Sequence, residues 1–245
     1  MPTYINAPIT EALIDFQVEL PIGTTVTDLE AVFDRIKKQY PTKKKRFFFE
    51  GQLTIGEEPE ASAKQTDKGF AFYSTDGLQI IQARLDGFTF SRLRPYGSWQ
   101  ELRTEAKMLW TIYQEIAKPI KVTRIAVRFI NQIDIPLPLD DFKEYLLTVP
   151  EVSPALPQSL SNFLMRLEFP QPDLGGLLIL TQIMVPPPQP GMASIVLDLD
   201  VSMQGSNMIL DTEIWDLLDK LRDRKNKFFE GCITDKTRAL FGPRG

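Results

Sequence analysis

Between residues 11 and 20, acidic or polar residues are interspersed with Leu13, Phe16, Val18 and Leu20, which reads as a half-buried strand. Pro21, Gly23 and the threonine-rich stretch 24–27 turn the chain. A helix is expected from a cap at Thr27 or Asp28 to about residue 39, because Leu29, Val32, Phe33 and Ile36 fall at helical spacing; Pro41 stops it. A strand over 46–55 and a polar, Glu-rich loop over 56–68 follow. Strands over 70–74 and 78–85 flank Thr75-Asp76-Gly77, and Asp86-Gly87 leads into a strand over 88–93. These four strands form an expected antiparallel meander. Pro95 and Gly97 break it, and Ser98 caps a long helix to about residue 117, with Leu102, Met108, Leu109, Ile112 and Ile116 as its core stripe.

The order then repeats. A long strand over 122–135 leads through Pro136-Leu137-Pro138 to a short helix over 140–147. A Pro-rich stretch over 150–157 precedes a short helix over 158–162 and strands over 163–169, 177–185 and 193–201. Pro186-Pro187-Pro188 and Gly191 lie in the loop between the last two strands. A long helix over 211–231 and a helical tail over 235–240 close the chain. Residues 1–119 and 120–245 thus each read as strand, helix, antiparallel meander and long helix, packed as one globular unit. The expected class is α+β, with antiparallel sheet and long helices. The match between halves is architectural, "LPIGTTVTDLEAVF" facing "IPLPLDDFKEYL" with slight identity. As a true pseudo-repeat, the chain would resemble a duplicated TATA-binding-protein-like or helix-grip fold. One face of such a sheet lies beneath the helices and the other is available for binding.

Composition narrows the function. Hydrophobic residues at 43% and charged residues at 24% are ordinary for a folded globular chain. No run reaches the ~20 apolar residues of a membrane span; the best, 174–185, is shorter and contains Gln182. Residues 1–20 carry Glu11, Asp15 and Glu19 and lack the layout of a signal peptide, so a cytoplasmic location with no membrane partner is expected. The sole cysteine, Cys232, has no internal disulfide partner. The chain has no histidine, which excludes Ser-His-Asp and Cys-His devices and His-ligated zinc. Phosphate loops of the GxxxxGK[ST] type, GxGxxG turns and GxSxG elbows are absent as well. A binding protein is expected ahead of an enzyme, with no cofactor. Net charge of −4 argues against a general nucleic-acid coat, although a local basic patch leaves nucleic acid open.

The segment "FSRLRPYGSW" is the most unusual. Arg92 and Arg94, two apart on a strand, point to one face, with Tyr96 and Trp99 just after. Such a set grips a phosphate, a carboxylate or a stacked base; the plainer alternative is pairing with acids at the sheet edge. In "RIAVRFINQIDI", Arg124, Arg128 and Gln132 share one parity, while Asn131 falls on the apolar side and needs hydrogen-bond partners. Asp198 and Asp200 share a strand face and suit two oxygen ligands of a hard cation, but no third ligand is identifiable, and surface acids are the plainer alternative. Asp140-Asp141 is a second acidic pair. Lys43 to Arg46 read as a solvated loop more readily than as a phosphate contact. Phe228, Phe229, Ile233, Leu240 and Phe241 can dock a second subunit or pack on their own core; a homo-oligomer is left open.

Four stretches, "INAPITEALIDFQV", "RLRPYGSWQELRTEAKMLWTIY", "RIAVRFINQIDIP" and "KNKFFEGCITDKTRALFG", together resemble a sporadically distributed prokaryotic family of uncharacterised proteins of about this length. The resemblance spans residues 8–241 and implies a stand-alone protein of patchy distribution. It implies no activity and transfers no catalytic residue. The leading expectation is an Arg-rich sheet face, with Arg92, Arg94, Tyr96, Trp99, Arg124, Arg128 and Gln132, presented to an anionic ligand or partner: a nucleotide, nucleic acid or an acidic protein. The alternatives are an enzyme acting on a phosphorylated small molecule, with arginine clamps and Asp198 or Asp200 on a metal, or an oligomeric scaffold.

Overall fold

The computed structural model describes residues 3–54, 60–158, 160–208 and 213–244. Its strands are β1 (Thr3–Tyr4), β2 (Ile9–Glu19), β3 (Thr42–Thr54), β4 (Glu60–Tyr73), β5 (Gln79–Arg84), β6 (Gly87–Leu93), β7 (Lys121–Pro136), β8 (Leu164–Gln171), β9 (Gly176–Val185), β10 (Met192–Met208) and β11 (Pro243–Arg244). Its α-helices are α1 (Val26–Leu29), α2 (Ala31–Ile36), α3 (Trp99–Ala117), α4 (Glu213–Cys232) and α5 (Asp235–Phe241). Among the described residues, one open nine-stranded antiparallel sheet runs β3-β4-β5-β6-β2-β7-β10-β9-β8, and β1 pairs with β11. The class is α+β, and no described helix is long and apolar enough to cross a membrane.

Strand parity separates the two faces of the sheet. Ala12, Ile14, Phe16 and Val18 of β2 are buried beside Ile125, Val127, Phe129, Ile133 and Ile135 of β7. Phe88 and Phe90 of β6 and Leu197, Leu199 and Val201 of β10 continue this layer. The helices close over it: Phe16 stacks on Trp110 of α3 at 4.3 Å and meets Trp215 of α4 at 5.8 Å, and Phe169 meets Phe228 of α4 at 5.3 Å. The opposite parity forms an open face.

Several local expectations are corrected. The single helix over 27–39 is two short helices, and its cap lies at Thr25, whose amide and hydroxyl both donate to the Asp28 carboxylate. The polar stretch expected as a loop over 56–68 supplies β4 from Glu60 onward. Thr54 pairs with Glu60, so the ladder to β3 extends the strand back from its buried end at Phe70 and Phe72 through the polar stretch. Of that loop, 56–59 lie outside the described residues, as do the last strand position, 55, and the start of the closing helix, 211–212. The helix over 140–147 is a 3-10 turn, Phe142–Glu144, begun by Asp141 accepting the Lys143 amide at 2.8 Å. Residues 158 and 160–162 are not helical, and 159 lies outside the described residues.

Helix α3 starts at the expected Ser98 cap, which is completed as a capping box by Glu101. The Ser98 hydroxyl accepts from the Glu101 amide at 3.2 Å and the Glu101 carboxylate from the Ser98 amide at 3.1 Å. Its inward stripe is Trp99, Leu102, Ala106, Leu109, Trp110, Tyr113 and Ala117, which leaves Met108 exposed and Ile112 and Ile116 at the margin. The wide aromatic rings fill the gap to β2 and β6, and this rotates the helix away from the stripe read from aliphatic residues alone.

Asn131 and Gln182 both enter the covered layer. Asn131 finds its partners, donating to the carbonyls of Phe129 at 3.2 Å and Leu197 at 3.0 Å. Gln182, on β9 at 0% exposure, has no partner for either amide atom among the described residues. An unpaired buried amide is destabilising, so Gln182→Met, of similar length, is expected to raise stability by about 1–3 kcal/mol. Urea denaturation checks this; an equal or lower midpoint in the variant would mean that the amide is satisfied in solution.

Candidate functional site

The sequence-predicted residues divide between the two sheet faces. Arg92 pairs in register with Ala12, so it shares the covered side with Phe88 and Phe90. Its guanidinium reaches Glu101 at 3.1 Å and Glu105 at 2.7 Å, while its buried Nε has no partner. Glu105 also accepts from the Tyr40 hydroxyl at 2.8 Å and the Gln79 amide at 3.1 Å. Burial and the Glu105 carboxylate push the Tyr40 phenol well above its usual range, so it remains a donor. Gly97 has a left-handed φ of 76°, and a Cβ there would lie 2.3 Å from the Glu101 carboxylate. Arg92, Glu101 and Glu105 border a cleft of about 470 Å³, completed by Gln39, Gln100, Thr104 and Met108.

Arg94 lies beyond the end of β6 and does not join Arg92. It donates to the carbonyls of Ile9 at 3.4 Å and Pro8 at 3.3 Å, holding the start of β2. Tyr96 and Trp99 pack on Phe129, at 5.5 and 6.4 Å between ring centroids, and the Trp99 indole donates to Asp219 at 2.6 Å. The aromatic pair is therefore packed into the covered layer. Burial raises the Tyr96 phenol above its ordinary range, against the pull of Arg222 and Arg92.

Lys225 completes this cluster and was missed in the sequence. It is 5% exposed, with Nζ 3.8 Å from the centroid of the Phe129 ring. Burial, and then the like charge of Arg222, brings its amine down to about 7, with Glu230 opposing the shift. The signal was present: Leu218, Leu221, Lys225, Phe229 and Cys232 form one buried stripe of α4, and the lysine sits within it.

The open face carries Arg124, Arg128 and Gln132, on the parity the sequence predicts. A charged row crosses five strands. Arg84 donates to Asp86 at 2.9 Å and to Asp15 at 3.0 Å, and Thr89 donates to Asp15 at 2.6 Å. Arg124 bridges Asp15 at 3.2 Å and Asp200 at 3.0 Å. The Arg84, Asp15 and Arg124 side chains are each only 15% exposed. Arg128 grips Asp198 through Nε at 2.9 Å and Nη2 at 2.5 Å, and Gln132 donates to Asp134 at 2.9 Å.

Asp198 and Asp200 do share this face. Each is already engaged by a guanidinium, and the described residues contain no cluster of three or more acids or cysteines suited to a metal ion. Burial pushes the Asp200 carboxyl above its ordinary value despite Arg124 and Arg128. With Arg128, Arg166, Ile179 and Thr181 these acids line a recess of about 130 Å³. The Arg128 side chain is 42% exposed against 13% for Asp198, and its Nη1 has no partner among the described residues. Arg166, missed in the sequence because it stands alone on β8, donates to Glu168 at 2.6 Å and borders the same recess.

The remaining candidates have structural positions. Lys43 to Arg46 belong to β3, not to a loop, and alternate sides: Lys43 pairs with Glu30, Lys44 covers the Tyr73 ring at 4.9 Å, and Arg46 bonds Gln82. Cys232 is buried, which pushes its thiol up to about 11. Phe228, Phe229 and Phe241 pack within the chain, on Phe169 and one another. The chain matches no protein-family model, and no curated protein matches it.

Proposed function

We propose that this chain is a binding protein whose open sheet face takes an anionic group of a ligand or partner at the Arg128–Arg166 recess. The observation that carries this reading is the exposure of Arg128. Asp198 occupies one edge of its guanidinium, and the other edge is free beside Arg166 and the Thr181 hydroxyl. Arg84 and Arg124 are consumed by Asp15 and Asp200 and act as a frame for the face. Two cations against two carboxylates suit one phosphate or carboxylate of a nucleotide or an acidic protein segment better than a run of phosphates. The aliphatic neighbour Ile179 adds apolar contact.

Arg128 also meets Asp198 and Asp200 in one recess, as the alternative of an enzyme acting on a phosphorylated small molecule requires. That reading further requires a ligand to displace a guanidinium from one of the acids. A cytoplasmic location belongs to the same proposal. So does the pseudo-repeat: β6 lies against β2 and β10 against β7, so the last meander strand of each half adjoins its first strand. Superposing β2, β5, β6 and α3 on β7, β9, β10 and α4 tests it, and a fit no better than between unrelated meanders would remove it.

Native mass spectrometry of protein from its own host identifies the ligand class, and titration calorimetry with that compound tests the site. Arg128→Ala and Arg166→Ala are each expected to weaken binding about tenfold or more, the value of a charged hydrogen bond. Arg35→Ala, which removes an exposed pair with Glu115, should leave it unchanged. Unaltered affinity in both recess variants would overturn the assignment.

A further inference from the structure

At the edge of the sheet farthest from the recess, β3 pairs with β4 alone. Among the described residues, 42–54 make no backbone–backbone hydrogen bond outside that ladder. The far half of β3 has no other support. β5 pairs with β4 only over Gly69–Tyr73, so beyond the register shift at Arg46/Phe47 the chain continues as a two-stranded ribbon, 47–54 against 60–67. Such a ribbon is marginal in water and gains stability from a third strand. Phe47, at its base, is 43% exposed. The cations of this edge differ in what answers them. Lys43 pairs with Glu30, Lys45 with Asp67, and Lys44 covers the Tyr73 ring. Arg46 has only the neutral Gln82 amide, with no carboxylate partner among the described residues.

We propose that β3 is a dimerisation edge, pairing antiparallel with β3 of a second copy of this chain about a two-fold axis at Phe48. The strand Thr42–Thr54 is centred on Phe48, so this register pairs it along its whole length. Thr42 then stands opposite Thr54 of the second copy, Arg46 opposite Glu50, and Phe47 opposite Phe49. A two-fold contact must be self-complementary, with every pair made twice. The order of residues meets that demand, because the basic run 43–46 precedes the centre and Glu50 follows it. Within its own ladder Glu50 stands opposite Lys64, so the row across the junction alternates in charge. Opposite charges and aromatic residues directly across antiparallel strands both favour pairing. A parallel arrangement, or an axis moved into the basic run, would set cation against cation. The lysines thus bar the indiscriminate pairing to which a free edge is prone. The ribbon gains its third strand, and the two sheets become one. This contact is independent of the recess, which lies toward the other edge at β8.

Analytical ultracentrifugation of the full-length protein over a range of concentrations tests it. The parent is expected to form a dimer. Arg46→Glu and Glu50→Arg each set like charges opposite one another at two places, and each should weaken dimerisation about tenfold or more. The double variant Arg46→Glu/Glu50→Arg restores opposite charges and should recover most of the association. Amide hydrogen exchange of the parent, which needs no variant, should show 42–54 better protected in concentrated than in dilute solution. A parent that stays monomeric, a dimer indifferent to both single reversals, or no recovery in the double variant would overturn the proposal. So would exchange over 42–54 that does not change with concentration.

Discussion

Lys225→Met is expected to stabilise the protein by about 2–4 kcal/mol at neutral pH, raising Tm by roughly 5–10 °C. The lysine titrates near 10.4 in an unfolded chain and at about 7 in the fold. A base whose folded pKa is depressed makes the native state hold fewer protons than the unfolded state between those values. Its penalty is therefore complete below about 7 and disappears by about 10, so parent stability rises with pH through that window. The face of Phe129 at 3.8 Å offsets part of the penalty, which keeps the expected gain below the full shift. Methionine fills the same space without charge and should flatten the slope. Urea denaturation at neutral and alkaline pH compares the two proteins. Equal stabilities with parallel pH profiles would show that Lys225 is compensated in solution.

Asp15→Ala should destabilise the fold by about 2–4 kcal/mol. Asp15 stands between Arg84 and Arg124 on the open face, and all three side chains are largely withdrawn from water. Removing the carboxylate leaves two guanidiniums facing each other and the Thr89 hydroxyl without its acceptor. Of its carboxylate partners Arg84 keeps only the exposed Asp86, and Arg124 keeps Asp200. Breaking one member of a buried charge network leaves uncompensated charge, which explains the size of the effect. Arg166→Ala, which removes a half-exposed pair with Glu168 on the same face, should shift the denaturation midpoint little. Similar losses in the two variants would mean that the row is not the frame of the sheet face.

The two effects have one origin. A sheet with helices on one face must separate its charges by parity, and this chain breaks the separation at Arg92 and Lys225. Arg92 is answered by Glu101 and Glu105 from α3. Lys225 is answered only by an aromatic ring. Arg92 therefore reads as the structural pairing that the sequence offered as its plainer alternative, and Lys225 is the residue left without one.

How much the sequence revealed depended on how local each signal was. The Ser98 cap, the Asp86-Gly87 hairpin and the parity of Arg124, Arg128 and Gln132 depend on neighbours within a few residues, and each appears where it was read. The polar part of β4, over 60–68, was not legible, because it is specified by its ladder to β3, whereas the end over 70–73, with Phe70 and Phe72 in the core, was read as a strand. The stripe of α3 was read from aliphatic spacing, whereas Trp110 and Tyr113 rotate it to fill the space beside Phe16 and Phe88.

By itself the sequence determined the α+β class, the main antiparallel strands, the two long helices and the absence of histidine chemistry, because propensity, capping and composition act over short distances. Only the tertiary structure decided which charges meet. It set Arg92 and Arg94 apart, joined Asp15 to Arg84 and Arg124 across strands distant in the chain, placed Arg166 beside Arg128, and enclosed Lys225 against Phe129. Charge interactions at such sequence separations depend on strand order and register, and those are set by the packing of the whole sheet beneath its helices.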